Sequence, residues 1–277
     1  MRLRGIRSSR NVEDRRRMGG GKAGGIGGVG LLVVLALGYF AGFDVTPLLQ
    51  GQGGQSSAPR EVTAEEEQAA EFSSKVLATT EEVWGQVFQQ QLNRQYTPPV
   101  MVLYSGVTQS PCGGASGATG PFYCPADRKA YLDTEFFATM AQQLGASGDF
   151  AAAYVIAHEV AHHVQNELGI LPQVNQRRKA VGQAEANALT VRLELQADCF
   201  SGVWARAVEG LLEPGDMEEA LNAARQIGDD TLQRRAGKVP QPHTFTHGTS
   251  EQRQRWFAIG YQSGDPNRCD TFSAQQL

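Results

Sequence analysis

The stretch from Ala157 to His163, Ala-His-Glu-Val-Ala-His-His, carries two histidines and a glutamate in an H-E-x-x-H pattern. Positions four apart lie on the same face of an α-helix, so His158 and His162 can direct two imidazoles at one metal ion. Glu159 lies about 100° further round the helix than His158. We therefore expect its carboxylate to act as a general base on water at the metal rather than as a third ligand.

A third ligand must come from elsewhere in the chain. The longer pattern that adds a third histidine on the same helix is excluded, since Gln165 stands where it has Gly and Leu168 where it has His. Another common arrangement takes a glutamate from the next helix, followed four residues later by an aspartate that hydrogen-bonds a ligand histidine. Glu194 and Asp198 have this spacing, whereas Glu185 is followed at that distance by a leucine.

The predicted metal is zinc, with His158, His162 and Glu194 as ligands and Asp198 fixing the tautomer of a ligand histidine. Three protein ligands leave the fourth position of a tetrahedral zinc open, as a catalytic site requires. The expected reaction is hydrolysis of a peptide bond. Zinc would polarise the carbonyl, and Glu159 would take a proton from water and pass it to the leaving amine.

The remaining histidines are His163 and a pair in the segment that precedes the last helix. Of that pair, His247 is a better candidate than His243 to hydrogen-bond the transition state, because it adjoins a glycine and a capped helix start. An ordinary loop histidine is the alternative for His247. Because His163 lies one position past His162, we expect it to be structural or to face solvent.

Two long helices must position the predicted ligands. The chain from Phe150 to Leu168 contains neither Gly nor Pro, so the H-E-x-x-H stretch is expected inside one well-delimited helix. A second helical pattern, from about Arg178 to Glu209, carries Glu194 among apolar neighbours. The metal site is therefore predicted where these two helices meet.

The four cysteines, Cys112, Cys124, Cys199 and Cys269, all follow the apolar N-terminal stretch. An even number in an oxidising compartment favours two disulfides. Proximity suggests that Cys112 pairs with Cys124, which leaves Cys199 for Cys269. The sequence leaves the other pairings open.

Arginines are concentrated in the first 22 residues, and no charged residue occurs from Ala23 to Phe43. About 20 apolar residues match the roughly 30 Å hydrocarbon core of a membrane. We predict a basic cytoplasmic segment over 1–22 and a transmembrane anchor over 23–43, with a cleaved signal peptide as the alternative. By the positive-inside rule the rest of the chain would be exported to the periplasm or the cell surface.

The stretch 44–71 is rich in Gly, Ser, Gln and Glu and predicts a flexible linker. Apolar residues then recur at helical steps from Phe72, so the folded domain is predicted over 72–277. Val100–Tyr104 reads as a buried strand. The strand-like Tyr131–Asp133 is expected either to line the cleft as an edge strand or to lie inside the sheet.

Overall composition is ordinary for a globular protein, with 41% apolar and 19% charged residues. The net charge of -4 and the isoelectric point near 5.8 indicate no nucleic-acid partner. The expected partners are a peptide or protein substrate and, through the anchor, the membrane.

Several blocks of sequence, taken together, carry a family resemblance. They are HEVAHH at 158–163, GPFYCP at 120–125 followed by YLD at 131–133, ELQADC at 194–199, and HGTSEQR at 247–253 with GDP at 264–266. This combination resembles the neutral zinc metallopeptidase family of bacterial membrane-anchored proteins, over essentially the whole chain. The resemblance implies a bacterial origin and a zincin-like domain.

We therefore expect a membrane-anchored zinc metalloendopeptidase of the bacterial envelope. Its fold class would be α+β, with a gluzincin-type domain that is mostly helical, has a small sheet and follows one transmembrane helix. The alternative is a non-catalytic, zinc-containing envelope protein that binds peptides or stabilises a membrane complex. An intact Glu159 argues against this alternative.

Overall fold

The computed structural model describes residues 1–17, 61–116 and 120–277, which fold into helices and two small sheets. The helices are α1 (Ala64–Gln90), α2 (Phe136–Leu144), α3 (Asp149–Glu167), α4 (Ile170–Arg178), α5 (Gln183–Ala207), α6 (Asp216–Gln226), α7 (Asp229–Arg235) and α8 (Ser250–Ser263), with 3₁₀ turns at Glu209–Leu211, Pro242–Thr244 and Pro266–Cys269. The strands are β1 (Val12–Asp14), β2 (Val100–Tyr104), β3 (Val107–Ser110), β4 (Gly113–Ser116), β5 (Phe122–Cys124) and β6 (Lys129–Asp133). This α+β architecture, mostly helical with a small sheet, confirms the predicted class.

The larger sheet has the strand order β1-β2-β6-β5. The pairs β1/β2 and β2/β6 are parallel, and β5/β6 is antiparallel. Tyr131–Asp133 forms the end of β6, which lies between β2 and β5 in the sheet, as the inner-strand alternative predicted; all three residues pair with β2, and Tyr131 also pairs with β5. The edge strand beside β6 is β5.

The first 17 residues pack onto the domain that follows. Val12–Asp14 pairs with β2, and the Arg16 guanidinium donates to the carbonyl of Glu66 at 2.8 Å. The α-ammonium of Met1 lies 2.9 Å from an oxygen of Asp149 and 3.2 Å from one of Asp216. Burial opposes this charge, but the carboxylates raise its pKa to about 10. Residues 1–17 are therefore part of the same folded unit as the helices.

The predicted membrane topology is wrong. Across the three described ranges no helix has the length and apolar character needed to cross a membrane, and the predicted anchor, 23–43, lies outside those ranges. A cytoplasmic 1–22 with an exported domain would also separate β1 from β2. Because these strands are hydrogen-bonded, residues 1–17 and the domain lie on the same side of any membrane.

The first long helix begins earlier than predicted. Thr63 caps α1 through a capping box in which its side chain accepts from the Glu66 N–H and its own N–H donates to the Glu66 carboxylate. This device satisfies two groups that a helix start leaves unpaired, and it starts the helix at Ala64 rather than Phe72. Residues 44–60 of the predicted linker lie outside the described residues.

The helix that carries H-E-x-x-H runs through the core. Its side chains from Phe150 to Gln165 are buried with the exception of Glu159, which is half-buried. Ala157 and Ala161 lie beside the two histidines at 1% and 0% exposure. Small side chains at these positions let neighbouring helices approach α3 closely.

The other long helix, α5, packs directly against α8. A Cβ atom on Gly202 would lie 2.1 Å from the carbonyl oxygen of Phe257, and one on Gly260 would lie 1.8 Å from that of Cys199. The two backbones are therefore in contact, which only glycine permits. The predicted start of α5 at Arg178 is too early, since that residue ends α4.

Both predicted disulfides are confirmed. Cys112 is bonded to Cys124 beside β5, and Cys199 is bonded to Cys269 in the last 3₁₀ turn. The second bond ties the C-terminal segment to α5 directly after Asp198.

Candidate metal centre

The structure brings the three predicted ligands together where α3 meets α5. Nε2 of His158 lies 3.0 Å from Oε2 of Glu194, and Nε2 of His162 lies 3.4 Å from Oε1 of the same carboxylate. One donor atom from each residue falls within 4.8 Å of the other two. Bonds of about 2.0–2.1 Å in a tetrahedron place donors roughly 3.3 Å apart, so this set fits zinc.

His158 is held by a buried, charged group of side chains. Its Nδ1 lies 2.9 Å from Oδ1 of Asp198, which also accepts from the Tyr154 hydroxyl at 2.5 Å. Arg253 donates to both oxygens of Asp198, at 2.8 and 2.9 Å. Asp198 is 0% and Arg253 2% exposed, so the two opposite charges are paired in the core.

His162 is held by neutral groups. Its Nδ1 lies 2.9 Å from the side-chain oxygen of Gln165. The Gln165 nitrogen donates to the carbonyl of Leu193 at 2.7 Å and to the Gln196 side chain at 3.2 Å. Both glutamines are buried.

The charges at the site depend on one another. Burial alone would raise the pKa of Glu194, but His162 and His158 hold it well below its usual value. Burial likewise opposes the charged forms of the His158–Asp198 pair, yet their mutual attraction and Arg253 lower the pKa of Asp198 to about 2, and the two carboxylates raise that of His158 to about 10. The site therefore favours an anionic Glu194, which is the form that binds a cation.

Glu159 differs from the ligands in its surroundings. It is half-buried, one residue after His158, and it is not part of the donor cluster found among the described residues. Burial raises the pKa of its carboxyl, while His162 and His158 partly offset that rise. A carboxylate with a raised pKa is a stronger base.

His247 lies near the predicted ligands and is oriented by a buried aspartate. Its Nδ1 is 3.3 Å from Oδ1 of Asp229, and Oδ2 of Asp229 accepts from the backbone N–H groups of Thr246, His247 and Gly248. Burial opposes the charge on His247, but Asp229 and Glu194 raise its pKa. The ring is 40% exposed, so it is accessible from solvent.

The other two histidines have different positions. His163 is fully buried, with Nδ1 3.0 Å from the Tyr123 hydroxyl and Nε2 2.7 Å from the Thr97 carbonyl, so it is structural rather than solvent-facing. His243 is exposed in its 3₁₀ turn, and its backbone carbonyl accepts from Asn187.

Sequence reasoning assigned no role to Tyr154, Gln165, Asp229 or Arg253. Two of them carried a usable signal. Tyr154 precedes His158 by one helical turn, and Arg253 falls in register with the apolar face of α8 formed by Trp256 and Phe257. A charged residue on an apolar helix face indicates a buried ion pair. Asp229 had no comparable local signal.

Comparison with known proteins places this site in a family. The model of the family described as "Putative neutral zinc metallopeptidase" matches residues 1–272. The chain belongs to this family. Membership of this family supports, in general terms, the assignment of the chain as a zinc-dependent hydrolase.

Similar proteins occur in bacteria. "Uncharacterized protein YpfJ" of Escherichia coli K12 is 49% identical over 284 residues, covering 98% of this chain and 99% of that protein. "Uncharacterized protein Rv2575" of Mycobacterium tuberculosis H37Rv is 48% identical over 195 residues, covering 66% and 65%. No solved structure matches the chain.

Proposed function

We propose that this protein is a zinc-dependent endopeptidase of the gluzincin type. The observation that carries the proposal is the convergence of His158, His162 and Glu194 beside a half-buried Glu159 on the same helix. Two histidines from one helix and a glutamate from another form the ligand set of such enzymes. Bound zinc would act as a Lewis acid toward the scissile carbonyl and would lower the pKa of water.

Glu159 is the proposed general base. Two observations support this role: Glu159 directly follows His158 on α3 and interacts electrostatically with His158, His162 and Glu194, and it is not one of the clustered donors among the described residues. In that position it takes a proton from the attacking water and later gives it to the leaving amine. The raised pKa of Glu159 suits both steps, because the group must accept the proton and then release it.

His247 is the proposed hydrogen-bond donor to the oxygen that becomes negative in the transition state. Asp229 favours a proton on the ring and sets its direction. The exposed part of the ring can reach a substrate, whereas the buried His163 cannot. A pre-oriented donor of this kind is worth about 10²–10³ in rate in other hydrolases.

The test is Glu159→Gln in the full-length chain, which is the appropriate form because residues 1–17 belong to the fold. Parent and variant are loaded with zinc and compared on a broad peptide library. We expect the variant to retain zinc and to lose cleavage by a factor of about 10² or more.

Glu167→Gln is the matched control, since it makes the same change at the end of α3, where Glu167 pairs with Arg128. It should keep the parent's cleavage rate. Full zinc occupancy with no cleavage by the parent would refute the proposal and would favour the non-catalytic alternative.

A further inference from the structure

Gln165 stands at the position where the longer three-histidine pattern has glycine, and its side chain is completely buried beside His162. It lies one turn after His162 on α3, so the two side chains can meet on the same face. Both ends of its amide make hydrogen bonds, one toward His162 and the other toward α5. Because its amide is fixed by the backbone of α5, Gln165 can in turn fix the orientation of the His162 ring on α3.

The contacts determine which way the amide points. The carbonyl of Leu193 can only accept a hydrogen bond, so the Gln165 atom 2.7 Å from it must be the nitrogen. The amide oxygen therefore faces His162. Because that oxygen can only accept, Nδ1 of His162 must carry the hydrogen, and its Nε2 is left to face Glu194.

A further contact holds this arrangement in place. The side-chain oxygen of Gln196 accepts from the Gln165 nitrogen at 3.2 Å, and the Gln196 nitrogen donates to the carbonyl of Cys269 at 3.0 Å. Cys269 is bonded to Cys199, so the end of this chain of contacts is covalently attached to α5. Rotation of the Gln165 amide would break both hydrogen bonds of its nitrogen.

We propose that Gln165 is a positioning residue that holds His162 with Nδ1 protonated and Nε2 directed at the metal. The inference rests on the proposed zinc site and adds a residue to it. Hydrogen bonds of this kind typically change metal affinity by about 10–100-fold. Gln165 does not touch the ion or the substrate, and its effect acts through His162.

The experiment replaces Gln165 with Met in the full-length chain, which keeps the length of the side chain but removes the acceptor. Zinc affinity is measured by competition with a chelator, and NMR on the zinc-loaded protein with ¹⁵N-labelled histidine detects the Nδ1 hydrogen of His162. We expect about 10–100-fold weaker zinc binding and faster exchange of that hydrogen with water.

Gln196→Met is the matched control, because it removes a buried amide from the same chain of contacts without touching His162. Gln165 then keeps its bond to Leu193, so zinc affinity should fall less than in Gln165→Met. Equal losses in the two variants would overturn the inference, as would unchanged affinity in Gln165→Met.

The parent protein provides a test that needs no variant to fold. A slowly exchanging Nδ1 hydrogen on His162 supports the inference, and coordination of zinc through Nδ1 overturns it. Neither readout uses cleavage. A protein that binds zinc as expected but cuts no peptide would therefore refute the proposed function and leave the role of Gln165 intact.

Discussion

The two histidines of the candidate metal centre differ in the groups that orient them. His158 is oriented by the carboxylate of Asp198, which in turn pairs with Arg253, whereas His162 is oriented by the neutral amide of Gln165. Both partners accept from Nδ1, so both leave Nε2 directed at Glu194. The same ring orientation is thus produced in two ways, by a charged route through Asp198 and Arg253 and by a neutral route through Gln165.

The difference follows from what burial demands of each partner. A carboxylate at 0% exposure needs a compensating cation, and α8 supplies one at Arg253. A buried amide needs only hydrogen-bond partners, which the backbone of α5 and Gln196 provide. The charged route therefore requires a third helix, while the neutral route is complete between two. Loss of the charge should consequently cost more than loss of the amide.

The largest effect is expected for Asp198→Asn. This change leaves the Arg253 guanidinium in the core without its anionic partner, which costs about 3–5 kcal/mol. Gln165→Met removes no charge: it takes the hydrogen-bond partner from the neutral groups of His162, Leu193 and Gln196, and the buried His162 donor alone costs about 1–3 kcal/mol. Urea unfolding of the metal-free variants measures both free energies.

A double variant, Asp198→Asn with Arg253→Met, serves as the control for the unpaired charge. It removes both charges and should be more stable than Asp198→Asn alone. If Asp198→Asn costs no more than Gln165→Met, the contrast between the charged and neutral routes is wrong.

A smaller effect is expected from acid, and it should separate the two routes. The pKa of Asp198 lies at about 2 in the folded protein, below its ordinary value of 3.8. The ionised carboxylate therefore contributes about 2 kcal/mol to the free energy of unfolding. This contribution is fully present above pH 3.8 and is lost as pH falls through about 2. In the metal-free protein this part of the acid sensitivity should disappear in Asp198→Asn and persist in Gln165→Met. The measurement is the unfolding free energy between pH 5 and pH 2. If both variants kept the parent's slope of free energy against pH, this acid sensitivity would not belong to Asp198.

The smallest effect concerns His247, which also has a carboxylate partner but is 40% exposed. Asp229→Asn keeps an oxygen for the three backbone N–H groups and removes the charge that favours a protonated ring. A weakened donor should lower kcat/KM roughly tenfold on a peptide that the parent cleaves, with zinc affinity unchanged.

The control for this change is Asp230→Asn, because Asp230 is the next residue of α7 and bonds Ser250 and Arg234 rather than His247. It should leave kcat/KM near the parent value. A loss of zinc affinity in Asp229→Asn would show that the aspartate acts on the metal ligands and not on His247.

Local spacing was sufficient to predict the residues that meet at the candidate metal site. His158 and His162 lie on the same face of α3 because they are four residues apart, and the same spacing places Glu194 and Asp198 on one face of α5. For the cysteines, proximity suggested the pair Cys112–Cys124 but left the other pairings open, and the structure confirms both suggested bonds.

The partners of those residues were not accessible in the same way. Arg253 reaches Asp198 from a helix 55 residues further along the chain, and Asp229 reaches His247 across 18. No local period encodes such contacts, because they depend on how whole helices pack. In the sequence, Gln165 stands out only as a departure from a longer motif. Its contact with the carbonyl of Leu193, which fixes the orientation of its amide, is known only from the structure.

The N-terminal segment shows how composition can mislead. Its arginines suggested a cytoplasmic flank, yet Arg15 pairs with Glu13 and Arg16 with Asp14, and the strand that contains the two acidic residues, β1, joins the sheet. Charge density alone does not reveal whether a basic residue faces solvent or an acidic neighbour.

The sequence by itself determined the ligand types, their helical spacing, the proposed base and the mostly helical class, because periodicity and side-chain chemistry are local properties. The tertiary structure decided which nitrogen of each histidine faces Glu194, where the buried charge of Asp198 is compensated and that residues 1–17 pack onto the domain. Those features arise from contacts between segments far apart in the chain. They exist only once α3, α5, α8 and the sheet are packed together.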